Sequence, residues 1–156
     1  MEKTQTITTG LSIDTKTRDL VLTGMLILIP LLWSGPQLLI GSIVNLLLCL
    51  SAKTTEPRSW WIKAALPSLA VIVHGVLFGS FTIYLFYLWP IITLGNWVYM
   101  RVGQSKLLLA SVIKMLILIM GATLLSWQKV IPVTMVTSMG VIQFVTAMIG
   151  GLMASL

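Results

Sequence analysis

From Ser105 to Trp127 the chain reads SKLLLASVIKMLILIMGATLLSW, in which the apolar run from Leu107 to Trp127 carries a single charge, Lys114, near its middle. At 1.5 Å per residue such a run is long enough to cross a hydrocarbon core of about 30 Å as a helix. Its apolar residues are continuous, whereas barrel strands alternate at period two, so the unit is a helix and not a barrel strand. Polar breaks and Gly/Pro punctuation divide the remainder into similar segments, at 20–33, 37–52, 61–78, 80–100, 105–127 and 132–156. The expected fold is therefore all-α: one six-helix integral membrane bundle over residues 20–156, behind a polar tail over 1–19.

Composition agrees with that class. The 156 residues are 57% hydrophobic and 9% charged, against about 25% charged residues in soluble domains, and the mean hydropathy is +1.00. The single cysteine, Cys49, excludes an internal disulfide and a cysteine-ligated iron–sulfur cluster. The net charge of +6 does not point to nucleic acid, because the cations sit in small groups between apolar segments and no polar domain carries them. They read instead as topology signals. With six spans and both termini cytoplasmic, Lys3, Lys16, Arg18, Lys53, Arg58, Lys63, Arg101 and Lys106 fall inside and Lys129 outside. Merging the two short leading segments into one broken span gives five spans and scatters the cations over both faces, against the positive-inside bias.

The first 19 residues are polar and mixed in charge, with no small-x-small site after the apolar run. They read as a flexible tail or interfacial segment and not as a cleaved signal peptide. Asp14 or Thr17 is placed to cap the first helix. Trp60, Trp61, Trp97, Tyr99 and Trp127 fall at span ends, where aromatic rings anchor at the headgroup level.

Small and polar residues inside the spans mark the faces that pack against protein. The last span sets Gly140, Gln143, Ala147, Gly150, Gly151 and Ala154 on one face, and the second sets Ser42, Asn45, Cys49 and Ala52 on another. The third aligns Ala64, Ser68, Gly75 and Gly79, and the fourth Thr82, Trp89, Thr93 and Asn96. The fifth places Ser111 and Gly121 on the Lys114 side. Four helices thus each turn one costly polar side chain inward: Asn45, Asn96, Lys114 and Gln143. His74 is the lone histidine, in the third span. Amide side chains in membranes also form plain structural contacts, worth roughly 0.6 kcal/mol each, and a lone histidine can serve a backbone carbonyl.

Lys114 is the sharpest of these. A cation at a helix centre costs roughly 2.5–3.5 kcal/mol on insertion scales, and the four acidic residues, Glu2, Asp14, Asp19 and Glu56, all lie outside the apolar runs. Three outcomes are open: the side chain snorkels to an interface, loses its proton, or awaits an anion supplied from elsewhere. Other chemistries lack their residues. There is no membrane carboxylate for proton-coupled export, no second histidine for haem and no spacing motif for a metal. No P-loop, hydrolase elbow or acid–base pair supports an enzyme.

At GPQLLIGSIVNLLL, ALPSLAVIVHGVLF, WPIITLGNWVYM, LLASVIKMLIL and MGVIQFVTAMIGGLMA the chain resembles the substrate-capture subunits, or S components, of energy-coupling-factor (ECF) vitamin transporters. It is most similar to short members that carry a mistaken iron-hydrogenase label. The resemblance runs from Gly35 to Leu156 and rests on the Gly-Pro turn before Asn45, the Gly95-Asn96 pair, Lys114, and Gln143 ahead of Gly150-Gly151. It implies a solute site near the outer face, with Asn96, Lys114 and Gln143 in the pocket and Gly35-Pro36-Gln37 in its lid. It also implies partnership with a membrane coupling subunit and two cytoplasmic ATPases. The chain departs from the family in its first helix, TGMLILIPLLW, where members often carry an Ala-x-x-x-Ala face for the coupling subunit. It also starts MEKTQ, without the histidine pattern of nickel and cobalt members.

The expected function is a multi-pass cell-membrane receptor or transport subunit that captures a small, vitamin-like nutrient for ATP-driven uptake. An anionic solute suits the lysine. The expected binding residues are Lys114, Asn96, Gln143, His74, Asn45 and Gln37, with no catalytic residue, metal or cofactor. The partners are the solute, the bilayer and the energising subunits, without nucleic acid. The rival reading is an accessory or scaffold subunit of a larger membrane complex. A channel ranks below both, since the polar residues are spread over several helices and form no continuous stripe on one.

Overall fold

The computed structural model describes residues 14–33, 35–78 and 83–156, and every regular element among them is helical. Six helices follow in order: α1 (Thr15–Leu32), α2 (Gln37–Thr54), α3 (Trp60–Phe78), α4 (Ile83–Gly103), α5 (Leu107–Trp127) and α6 (Thr134–Met153). A single 3₁₀ turn, Pro57–Ser59, leads into α3. Five of the six, α2 to α6, are long and apolar enough to cross a membrane. The first 13 residues of the expected tail lie outside the described residues, as do Gly79, Ser80 and Thr82.

The first helix begins five residues earlier than the apolar run. Asp14 occupies its N-cap position, although its side chain makes no capping bond. The polar first turns are held by Asp19, which forms an ion pair with Lys63 of α3. Lys63 was expected among the loop cations. It lies instead in α3 with its side chain 2% exposed.

The helices form a ring in the order α1, α2, α6, α5, α4, α3, with α2 also reaching across to α4. Contacts at the two ends differ. Where α1 and α3 start and α2, α4 and α6 finish, the bundle is tight. Lys53 Nζ donates to the Ala154 carbonyl at 2.7 Å, and Gln104 Nε2 to the Ala52 carbonyl at 3.0 Å. Trp61 stacks on Trp97 with ring centroids 4.5 Å apart. Lys16, Arg18, Lys53, Arg58, Lys63, Arg101 and Lys106 all sit at this end, so we call it the cation-rich end. The opposite end carries Lys129.

Gly150 sets the closeness of α2 and α6. A Cβ there would stand 2.5 Å from the Ser42 carbonyl oxygen and 2.6 Å from the Leu46 nitrogen. The small-residue faces read from the sequence are spent here. Ser42, Asn45, Cys49 and Ala52 of α2 and Ala147, Gly150 and Gly151 of α6 are all buried.

Two apolar clusters result. One fills the cation-rich half with Leu26, Leu48, Trp60, Ala64, Tyr99, Met100, Ala110 and Ala147. The other, with Leu88, Leu118, Ala122, Ile131 and Met139, joins α4, α5 and the start of α6 at the cation-poor end. Between this second cluster and the facing sides of α1, α2 and α3 the bundle is hollow.

Two expected interface anchors are core residues. Tyr99 is fully buried and Trp60 nearly so, since α4 continues to Gly103 and draws Tyr99 inside the bundle. Trp127 is 81% exposed and Trp61 about half exposed, as headgroup anchors would be.

Candidate functional site

The hollow is a cavity of about 360 Å³, within the range of about 300–1,000 Å³ seen for small-molecule sites. All six helices contribute to its wall, which is mainly apolar. Lys114, Asn96, Gln143, His74, Asn45 and Gln37, the six residues singled out from the sequence, all line it.

Each reaches the wall for a local reason. Lys114 sits midway along α5 on the face that meets α4. Gly95 presents no side chain there, and a Cβ on it would touch Lys114 Cγ at 3.5 Å. The lysine does not reach either end of the bundle: it is 1% exposed, and Nζ donates to Asn45 Oδ1 at 2.6 Å. Nζ also stands 5.1 Å above the Tyr99 ring, a cation–π distance. Among the described residues the one ion pair is Lys63–Asp19, so Lys114 faces an amide oxygen and an aromatic ring but no carboxylate. An ammonium has three donors, and Asn45 accepts from one of them.

Asn45 is locked in turn. Its Nδ2 donates to the Gly41 carbonyl at 2.8 Å and to Thr146 Oγ1 at 3.2 Å, which ties α2 to α6 and aims Oδ1 at the lysine. Asn96 donates from Nδ2 to the Ala64 carbonyl at 2.9 Å.

His74 closes the upper wall. Its Nδ1 lies 2.7 Å from the Leu31 carbonyl, one of the last four of α1 that the helix itself leaves unpaired. Because a carbonyl can only accept, Nδ1 is the donor. Gln37 stands exposed in the first turn of α2 at the mouth, next to Gly35 and Trp33. A Cβ on Gly35 would come 3.1 Å from Trp33 Nε1, so glycine leaves room for the indole there. Ser34 lies outside the described residues.

The start of α6 brings Gln143 to the wall through a π-helical turn, Ser138–Ile142, whose Ser138 and Met139 also line the cavity. Such single-turn widenings occur often at functional sites. On α4, Trp89 and Thr93 were grouped with Asn96, but only Asn96 reaches the cavity. Trp89 Nε1 and Thr93 Oγ1 are buried without a hydrogen-bond partner among the described residues.

Sequence reasoning missed several parts of the site. Pro30, Pro67 and Ser68 line it, and Thr146 positions Asn45. Tyr99, read as an anchor, lies beneath the lysine, with its hydroxyl donating to the Ala147 carbonyl at 2.7 Å and accepting from Cys49 Sγ at 3.2 Å. The signal for Tyr99 was present in its spacing: it follows Asn96 by three residues and so shares its side of α4.

The arrangement can do one thing well: hold a small molecule with an apolar body and an acceptor group at its buried end. Among the described residues no group of three or more His, Cys, Asp or Glu side chains could hold a metal ion. Compared with known proteins, the chain matches no family model, no curated protein and no solved structure.

Proposed function

We propose that this chain is a multi-pass membrane receptor, or substrate-capture subunit, that binds a small nutrient carrying an anionic group. Its six helices all cross the cell membrane, with both termini and the cation-rich end in the cytoplasm. The cavity mouth then faces outward, and the captured solute is passed on for ATP-driven uptake, as in the ECF S components the sequence resembles.

One observation carries the reading. Lys114 is buried at the bottom of a cavity of ligand size, with the Asn45 amide oxygen as acceptor and six other polar side chains on the same wall. A buried cation so weakly compensated is costly, and a carboxylate from a bound solute offsets that cost in a site already stripped of water. The cation gradient between the two ends supports the orientation. The scaffold reading draws less support, because the small-residue stripe of α6 is consumed inside the bundle, with Gly150 against α2 and Gly151 against Leu107 and Tyr99.

The test is a thermal-shift screen of the detergent-purified protein against vitamins, nucleobases and small carboxylates, with Lys114→Met alongside wild type. A ligand at 100 times its Kd adds roughly 2.7 kcal/mol. A hit that disappears in a folded Lys114→Met protein supports the receptor. A panel without hits, with Lys114→Met more stable than wild type, turns the reading toward a structural subunit.

A further inference from the structure

Charge in the cavity is confined to one point. Among the described residues that line it there is no Asp, Glu or Arg, and Lys114 is the single lysine. Its ammonium has three N–H donors, and the Asn45 oxygen takes one. On α4, Asn96 follows the Gly95 that lies against the lysine side chain. Its amide gives one N–H to the Ala64 carbonyl and keeps the second. The buried end thus offers hydrogen-bond donors and one unit of positive charge. His74, the other titratable side chain of the wall, stands ten residues beyond Ala64 on α3, about 15 Å along the axis. It meets the last turn of α1 and belongs to the mouth.

The dimensions limit the rest of the ligand. Asn45 at the bottom and Gln37 at the mouth are eight residues apart on α2, about 12 Å along that helix. At about 30 Å³ per water-sized group, the 360 Å³ hold about twelve non-hydrogen atoms. Ile40, Val44, Val71, Leu85 and Ile92 line the wall between the two ends, so most of those atoms are carbon.

We infer that the solute is a monocarboxylic acid with an apolar body, about ten to fourteen non-hydrogen atoms in all, that lies carboxylate-down against Lys114 and Asn96. This rests on the proposed receptor reading and narrows it from any anion to one class. One carboxylate matches one ammonium. A phosphate monoester brings close to two negative charges to the same spot, and the second finds no cation there. A neutral amide leaves the ammonium as poorly compensated as it is in the empty cavity. A second polar group fits only at the far end of the molecule, where Gln37 is exposed and the mouth admits water.

The test is equilibrium dialysis of the full chain in lipid nanodiscs, with empty nanodiscs as the blank for partition into lipid. The probes come in sets of three on one body: the carboxylate, its primary amide and the phosphate monoester. Bodies are straight-chain, phenylalkyl and heteroaromatic, of about six to eighteen non-hydrogen atoms, which brackets the size of the cavity. At about pH 8 the phosphates are dianions, two units above their second pKa of about 6. In sets near twelve atoms the carboxylate is expected to bind at least about tenfold more tightly than its amide and its phosphate. Lys114→Met should weaken the carboxylate by at least about tenfold and leave the amide within about threefold. Lys114→Gln serves if the methionine variant does not fold, and the comparison within each set needs wild type alone.

An amide or phosphate that binds as tightly as its carboxylate overturns the inference and leaves the receptor standing. So does carboxylate binding that is unchanged in a folded Lys114 variant. No binding by any member of any set overturns the receptor reading, and the inference with it.

Discussion

Lys114 Nζ and Asn45 Oδ1 lie 2.6 Å apart at the bottom of the cavity, and among the described residues Nζ has no other hydrogen-bond acceptor. The lysine arrives from α5 and the asparagine from α2, two helices separated in the ring by α6. One hydrogen bond therefore ties two helices that are not neighbours in the ring.

Removing the acceptor should expose that dependence. Asn45→Ala strands the buried ammonium and is expected to cost about 2–4 kcal/mol. Lys114→Met in the same background should recover much of the loss, with a coupling of roughly 1–3 kcal/mol between the two positions. Denaturant or thermal unfolding of the four proteins in detergent measures it. Additive losses would mean that the contact is incidental.

Two glycines should behave in opposite ways. Gly150→Ala drives a methyl group into the α2 backbone and should destabilise by about 1–3 kcal/mol. Gly24→Ala, with nothing within 4 Å of its Cβ, should stay within about 0.5 kcal/mol of wild type. The two unfolding midpoints, compared side by side, decide it.

The Asp19–Lys63 pair is lopsided, with the lysine 2% and the aspartate 44% exposed. Asp19→Asn leaves a buried cation and should cost roughly 1–2 kcal/mol, a figure reduced for the solvent that reaches the carboxylate. Adding Lys63→Met should return stability toward wild type. If the double variant is less stable than Asp19→Asn alone, the pair does not hold α1 to α3 in this way.

Lys129 follows the end of α5 with a φ of 59°, the left-handed region. Its N–H bonds to the Ser126 carbonyl and that of Val130 to the Leu125 carbonyl, both at 2.9 Å, the double-bonded helix ending that glycine favours. Lys129→Gly should therefore raise stability by up to about 1 kcal/mol. A lower melting temperature would show that the lysine side chain contributes more than its backbone conformation costs.

Gln143 and Asn96 should separate binding from stability. No protein hydrogen bond ties the Gln143 side chain among the described residues, whereas Asn96 holds the Ala64 carbonyl. Gln143→Leu is expected to leave unfolding within about 0.5 kcal/mol of wild type while weakening a solute that binds at the Lys114 site by roughly tenfold, or 1.4 kcal/mol. Asn96→Leu should lower both. Titration of any ligand found in the thermal screen reads the split.

The site was more legible in the sequence than the fold around it, and the reason is energetic. Lys114, Asn45, Asn96 and Gln143 stand out because each is expensive in hydrocarbon, so a chain keeps them only where the bundle interior receives them. Residues whose placement depends on a partner helix gave no such sign. Thr15 to Asp19 read as tail because their polarity is plain, while the buried lysine of α3 that takes Asp19 is visible only in three dimensions. Tyr99 reads equally well as an interface anchor or as a core phenol. The Ala147 carbonyl that decides the matter comes from another helix.

The π-helical turn of α6 gives that helix two phases. Downstream, Gly150 and Gly151 are bound to α2, α5 and the Tyr99 hydroxyl by contacts that tolerate no added atom. Upstream, Met135 lines the cavity, as do Ser138 and Met139 of the turn itself. Gain or loss of one residue in Ser138–Ile142 turns the upstream part by about 100° while the downstream anchor stays in register. Lineages of this protein thus have a place where a single-codon insertion or deletion exchanges one cavity wall for another, so that ligand preference can diverge without a new fold.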